Sequence, residues 1–323
     1  MVHQKFVMLM PLDCLCRDLA IKGVPLAMSF LVGQIERAAD LLAGIDRVHW
    51  KRLLASDWMA TDATGLKVLI PGLETSHNGH LEVYRNDEQV VFQNEQHKGG
   101  KELAAKLAPF RVTLVADAEH RHNAVFADGT VQEAGCNADG RRKFRDAEAT
   151  QPVLAVEGGE FIAAIYVAEN QARKAGLCGD ELRPWRQSKV PPLRDALLRW
   201  MDAVEPSLTP DDALAKVIRS YRNHWQALFR FVDHPELPID NSASEREYQN
   251  VAKLRLNSLF ADSTEGAHRA AVLLGIAAIC RTLGVDAKAY LAWALTRMRT
   301  HRDLYGLSAA ELTPAAFARA ASG

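Results

Sequence analysis

The chain has only five cysteines in 323 residues, and no two of them form a Cys-x-x-Cys pair. Cys14, Cys16, Cys136, Cys178 and Cys280 are scattered and odd in number, which argues against a disulfide framework or a structural zinc site and fits reduced cytosolic thiols. Long apolar runs are also missing. The opening MVHQKFVMLMPLDCLCRDLAIKG is broken by Asp13, Arg17 and Asp18 too soon to span a membrane. No small-residue cleavage pattern follows it, so it does not read as a signal peptide. A cytoplasmic protein with no membrane partner is expected. Charge of one sign is not in excess either: 39 Lys and Arg face 40 Asp and Glu, a net charge of -1. No global basic field advertises nucleic acid, so any polyanion site has to be built from local clusters. Two such clusters exist: Arg141, Arg142, Lys143 and Arg145, and Arg297, Arg299, His301 and Arg302. Internal repeats, low-complexity linkers and heptad runs are absent.

What is present falls into three textures. Residues 1 to 50 have a helical pattern interrupted at Gly23 and Pro25, a packed helical hairpin or a helix-turn-helix. Neither helix is rich in Arg, Asn or Gln, which favours the hairpin. From 51 to 150 the pattern changes: WMATDATGLKVLI, GHLEVYRND and QVVFQNE are short β-branched or aromatic runs bounded by turn residues, and they predict three consecutive strands. GGKELAAKLAPF follows as a helix, RVTLVADAEH and TVQEAGC as strands, and RRKFRDAEAT as a helix. That order is the one expected of the first part of a ribonuclease H-like α/β core. Residues 151 to 236 predict an all-helical insertion, with one helix starting at the Pro191-Pro192 pair and one running unbroken from Pro210 to His234. Residues 237 to 265 return to the core, and 266 to 323 form C-terminal helices, with Gly284 as a C-terminal cap and Thr313-Pro314 opening the last helix.

Within this frame three carboxylates stand out. Asp62 lies inside the first predicted strand and Asp117 at the end of VTLVAD. A buried strand rarely tolerates an unpaired carboxylate, and two on neighbouring strands repel unless a divalent cation lies between them. Mg²⁺ is bound through one or two carboxylates plus substrate phosphates, and a third carboxylate completes a two-metal phosphoryl-transfer site. The stretch LPIDNSASEREYQNVAKLRL can supply it from a helix that leads with Asp240, Glu245 and Glu247 and continues with Lys253 and Arg255. Glu245 and Glu247 point about 200° apart on a helix, so only one can face a site. Glu245 shares its face with Gln249 and Lys253, but Ser242-x-x-Glu245 is also a capping box, in which the glutamate merely satisfies a backbone N-H.

ATDATGLKVL, GHLEVYRND, VADAEHRHNAVF, EAGCNADGRRKF, LPIDNSASERE and LFADSTEGAHRAAVL together resemble, in that order, the transposases of the insertion sequence 66 family. The resemblance runs from about residue 20 to 300. It implies a DDE-type recombinase with a ribonuclease H-like core, in which Asp62, Asp117 and Glu245 bind Mg²⁺ or Mn²⁺, two ions per site. It implies DNA cleavage at element ends followed by attack of the freed 3′-hydroxyl on target DNA, carried out by a homodimer on paired ends, with accessory proteins of the same element as further partners. The long interval between Asp117 and Glu245 is accounted for by the helical insertion. Arg141, Arg142 and Lys143 at one helix start, and Arg246, Lys253 and Arg255 around the proposed catalytic glutamate, are the candidate DNA-backbone contacts.

The chain also departs from the family. Ala63 follows the first aspartate where an acidic residue is usual, Asp117-Ala118-Glu119 replaces Asp-Gly-Tyr, and Asn137 and Asp139 stand where Trp and His are common. The sequence begins past the upstream coiled-coil-like and cysteine-containing segments that the family uses for end recognition, as a truncated, divergent copy would. Two rival functions therefore accompany the transposase: a ribonuclease H-like nuclease without strand transfer, and an inactive DNA-binding remnant. His77, His80, His120 and His122 invite a zinc reading, but with no cysteine nearby they are expected to be surface or phosphate-contacting residues.

Overall fold

Alternating β-branched and aromatic residues between Trp58 and Glu95 meet the requirement of a pleated surface with one buried face, and they form three strands. The structure is a computed structural model that describes residues 1–70, 72, 74–257, 261–300 and 308–322. Its described residues divide into two compact units, Met1–Phe110 with Ser244–Gly323 and Arg111–Ala243. Both helix and strand are well represented, so the chain is a mixed α/β protein.

The first unit opens with helices α1 (Leu12–Ile21) and α2 (Met28–Leu54), separated by a turn in which Gly23 adopts a left-handed φ of 80°. Strands β1 (Trp58–Val68), β2 (His77–Arg85) and β3 (Val90–Glu95) form an antiparallel meander with Asp62 opposite Val83 and Val83 opposite Phe92. Helix α3 (Gly100–Lys106) follows. After the second unit, α10 (Ser242–Asn257), α11 (Thr264–Thr282), α12 (Ala287–Thr300) and α13 (Pro314–Ser322) complete this unit. The core lies between the meander, α2 and α11. Ala271 to Cys280 of α11 are buried without interruption, the all-round apolar character of a central helix. The expected termini are observed: Gly284 ends α11 with φ 64°, and the Thr313 hydroxyl accepts from Ala316 N-H at 3.4 Å ahead of Pro314. Of the second basic cluster, Arg297 and Arg299 close α12, whereas His301 and Arg302 lie outside the described residues.

One core position carries a carboxyl group. Asp46 of α2 is 8% exposed, and its Oδ1 has no hydrogen-bond partner. It packs on Gly275 of α11, where a side-chain Cβ would stand 3.2 Å from that oxygen. Burial pushes its pKa from 3.8 up to about 7, only partly opposed by Arg47. The folded state therefore holds the proton that the unfolded chain releases near pH 4. Stability is full below that pH and falls as pH rises toward 7, by on the order of a few kcal/mol in total. Urea denaturation between pH 4 and 8 is expected to show this decline in wild type and a much flatter profile in Asp46→Asn.

In the second unit, β4 (Thr113–Ala116) and β5 (Gln132–Gly135) pair in parallel, with the short helix α4 (Asn123–Phe126) in their connection. Every residue of β4 is buried, as its continuous apolar run requires. Helices α5 (Asn137–Ala147), α6 (Pro152–Lys174), α7 (Leu182–Val204), α8 (Ala213–Asn223) and α9 (Trp225–Phe229) follow without a further strand. Gly158 of α6 admits Phe144 of α5 and Trp200 of α7, whose rings lie where a Cβ would project.

Two boundaries differ from expectation. Helix α7 does not start at Pro191 but runs through Pro191 and Pro192 from Leu182. Burial of Arg186 and Val190 on the preceding turns outweighs the backbone hydrogen bonds the prolines cannot make. The helix expected from Pro210 to His234 breaks at His224, whose φ of -112° and ψ of 19° leave the helical region and separate α8 from α9.

Candidate functional site

Strand β1 changes character at Asp62. Trp58 to Thr61 are buried, and Asp62 to Thr64 are half-buried. The Asp62 carboxylate accepts the Ala63 N-H at 2.8 Å. Its main chain is held by α10: the Tyr248 hydroxyl donates to the Asp62 carbonyl at 2.6 Å, lies 3.1 Å from the Leu81 carbonyl and accepts the Val83 N-H at 3.0 Å. Two turns further along α10, the Arg255 guanidinium donates to the Gly65 carbonyl at 2.6 Å and to the Thr64 hydroxyl at 3.1 Å. Helix α10 is thereby pinned along the Asp62 to Gly65 segment at two points. Arg255, a candidate DNA contact, spends its guanidinium on this strand.

The two glutamates of α10 divide as the helical period requires. Glu245 is exposed, in the first turn and three residues before Tyr248, on the same side of the helix. Glu247 is buried at 7% side-chain exposure, pairing with Arg85 at 3.2 Å and with Arg281. Burial lowers the Arg85 pKa, and Glu247 is the chief group opposing that shift. Arg246 and Lys253 are exposed. At the helix start the Asp240 carboxylate takes the Ser242 N-H at 2.9 Å, so Asp240 supplies a cap that the Ser242-x-x-Glu245 pattern did not reveal.

Asp117 belongs to the second unit, where it follows the last residue of β4 and is half-buried. The chain then turns through His120–His122. His122 is not a surface residue as expected: it is 2% exposed, its Nδ1 3.1 Å from the Asp117 carbonyl and 3.4 Å from the Asp117 carboxylate. Burial, then the neighbouring Arg121, lowers its pKa and keeps the ring neutral. Glu119 accepts from Arg121 Nε at 3.0 Å. One ligand atom each from Asp117, Glu119 and His122 lie within 4.8 Å of one another. The sequence raised His122 as a metal candidate and set it aside for want of a nearby cysteine; a one-turn 3-10 helix brings it, with Glu119, back to Asp117.

The basic cluster of the second unit sits on α5. Arg141 lies over the Tyr166 ring at 5.8 Å, Arg142 pairs with Asp139, and Lys143 donates to the Ser220 hydroxyl at 2.8 Å. Arg141, Arg142, Arg145, Glu160, Tyr166 and Asp240 line a cavity of about 530 Å³. The Tyr166 hydroxyl donates to Asp240 at 2.5 Å. Buried Asn137, where the family pattern departs, donates to the Leu228 and Ile239 carbonyls at 2.8 and 3.0 Å and so grips the segment that leads to α10.

In the first unit the Asp62 main chain is held beside a helix that starts with an exposed glutamate, and in the second a strand-end aspartate lies in a mixed carboxylate and imidazole set. A family model described as Transposase IS66 family matches residues 1–269. The chain belongs to this transposase family. Among its relatives from Sinorhizobium fredii, the uncharacterized protein y4hP is 25% identical over 326 residues, covering 93% of this chain and 58% of that protein. The uncharacterized protein y4jD is 28% identical over 211 residues, covering 63% of this chain and 41% of that protein. The chain thus spans about half the length of the curated relatives it matches. No helix among the described residues is long and apolar enough to cross a membrane.

Proposed function

We propose that this chain is the catalytic part of a DNA transposase that cleaves DNA at element ends and joins the freed 3′-hydroxyl to target DNA. The observation that carries the reading is the Tyr248 anchor: it fixes the Glu245 turn of α10 to the main chain of Asp62 itself. Asp62, Asp117 and Glu245 are the metal-binding carboxylates in this reading. Their hard oxygen donors suit Mg²⁺ or Mn²⁺, and two bound ions would polarise the attacked phosphate and neutralise charge on the attacking and leaving oxygens. The chain's own contribution is positional. Tyr248 and Arg255 hold helix to strand, His122 faces Asp117, and Asn137 grips the segment before the glutamate.

The order of an antiparallel three-strand meander, a helix and a parallel β4–β5 pair supports a ribonuclease H-like core. Arg141, Arg142 and Lys143 on α5, with exposed Arg246 and Lys253 on α10, are the proposed phosphate contacts, whose binding is expected to weaken steeply with salt. Family membership supports DNA as the partner, and in this reading the active form is a homodimer on paired ends. The test is strand transfer by the purified chain on a pre-cleaved duplex carrying the element's own end. Joined product with Mg²⁺ or Mn²⁺, abolished by chelation, is the expected result. Cleavage without joining would replace the transposase with a nuclease, and salt-dependent binding without metal-dependent chemistry would leave a DNA-binding remnant.

A further inference from the structure

We propose that His122 is a nitrogen ligand of the cation at Asp117, which makes this centre a mixed carboxylate and imidazole site with a preference for Mn²⁺ over Mg²⁺. The inference rests on the reading above that Asp117 holds a divalent cation. It starts from an unmet requirement of the ring. His122 is 2% exposed; its Nδ1 lies 3.1 Å from the Asp117 carbonyl and 3.4 Å from the Asp117 carboxylate, while its Nε2 is buried with no hydrogen-bond partner.

A neutral imidazole has one N-H and one lone pair. With the proton on Nδ1, it is donated to the Asp117 carbonyl and Nε2 is left with a buried, unsatisfied lone pair. With the proton on Nε2, that N-H is unsatisfied and the Nδ1 lone pair faces two oxygens. A cation bound at Nε2 satisfies the lone pair of the first arrangement, and one bound at Nδ1, the nitrogen 3.4 Å from the Asp117 carboxylate, relieves the lone-pair repulsion of the second. The first arrangement is also the one metal-ligating histidines adopt, the second ring N-H being held by a carbonyl or carboxylate.

The surroundings supply the rest of a ligand set. A ring nitrogen of His122 and one oxygen each from Asp117 and Glu119 lie within 4.8 Å of one another. Arg121 holds Glu119 at 3.0 Å and so fixes the orientation of that carboxylate. Imidazole favours Mn²⁺ and later first-row ions over Mg²⁺, which prefers oxygen donors and retained water. Asp117-Ala118-Glu119 stands where the resemblance leads one to expect Asp-Gly-Tyr, so the Glu119 donor belongs to this chain's own version of the site.

The test is pulsed EPR of Mn²⁺ bound to the full chain, with Mn²⁺ and Mg²⁺ affinities measured in parallel. Imidazole nitrogen coupling is expected in wild type and lost in His122→Ala. That variant should bind Mn²⁺ about tenfold more weakly, with Mg²⁺ affinity changed by less than about twofold. The wild-type spectrum needs no variant to fold. His122→Asn, which can keep the bond to the Asp117 carbonyl, separates ligation from ring positioning: coupling lost with Mn²⁺ weakened supports ligation, and unchanged Mn²⁺ affinity overturns it. Mn²⁺ binding that depends on Asp62 and Asp117 but shows no nitrogen coupling overturns this inference and leaves the carboxylate site standing. Nitrogen-coupled Mn²⁺ that is indifferent to Asp62→Ala supports the His122 ligand while removing Asp62 from the site. Absence of saturable Mn²⁺ binding overturns both.

Discussion

Replacing Glu245 with alanine is expected to abolish strand transfer, whereas the same replacement two residues later is expected chiefly to lower stability. Glu245 is exposed in the first turn of α10. Altering groups that merely orient a metal ligand costs about 10 to 100-fold, so losing a ligand should cost more than about a hundredfold of joined product. Asp62→Ala should give the same loss. Glu247→Ala instead removes the carboxylate between Arg85 and Arg281, in a pocket where Glu247 is 7% and Arg85 14% exposed. Breaking a buried pair costs about 3 to 5 kcal/mol, and because Arg281 is half-exposed the lower end applies. Urea melts and strand-transfer yields on the three variants distinguish the roles. A Glu245→Ala protein that joins DNA normally would exclude this glutamate from the site.

The second large effect is expected at Arg186. This residue of α7 is 4% exposed and makes a bidentate pair with Glu169 of α6, at 2.9 and 2.8 Å. Its third nitrogen donates to the carbonyls of Phe231, His234 and Leu237 at 2.9, 3.1 and 3.0 Å, and its plane lies 5.0 Å over the Phe231 ring. A single guanidinium thus ties two insertion helices to the loop that runs on to Asp240 and α10. Arg186→Met should cost about 3 to 5 kcal/mol, since it leaves Glu169 without its partner and three carbonyls without their donor. Arg186→Lys keeps the charge but has one nitrogen instead of a planar fork, so it should recover only part of that loss. Denaturation midpoints of the two variants check the magnitude. A loss below about 1 kcal/mol for Arg186→Met would mean that the loop is held by its other contacts.

Helices α6 and α7 therefore have a structural task that their sequence did not announce. Arg186 reads as one more basic residue in LRPWRQSKVPP, with no spacing that connects it to Phe231 or Leu237. Asn137 is similar: it appeared only as a departure from a family pattern, and its two carbonyl acceptors lie about ninety and a hundred residues away. His122 was expected at the surface or on phosphate because no cysteine lies nearby to complete a zinc set. The one-turn 3-10 helix folds it back under Asp117 instead. The helical period showed only that Glu245 and Glu247 cannot both face one site; the choice of Glu245 came with the family resemblance, while Glu247 pairs with Arg85 and Arg281.

The sequence by itself determined the succession of elements and the candidate carboxylates. Strand and helix patterns at 58–95, 113–116 and 264–282 arise from residues near one another along the chain, where a two- or 3.6-residue period is directly visible. Six ordered motifs carried the family resemblance in the same way. Only the tertiary structure decided which polar side chains are committed to holding the protein together. Arg255 on β1, Glu247 between two arginines, Arg186 on three carbonyls and His122 beneath Asp117 each depend on partners brought close by packing. The physical reason is that periodicity records which face of an element is buried, whereas a hydrogen bond or ion pair depends on the position and direction of a second group. That position is fixed only when the elements have packed.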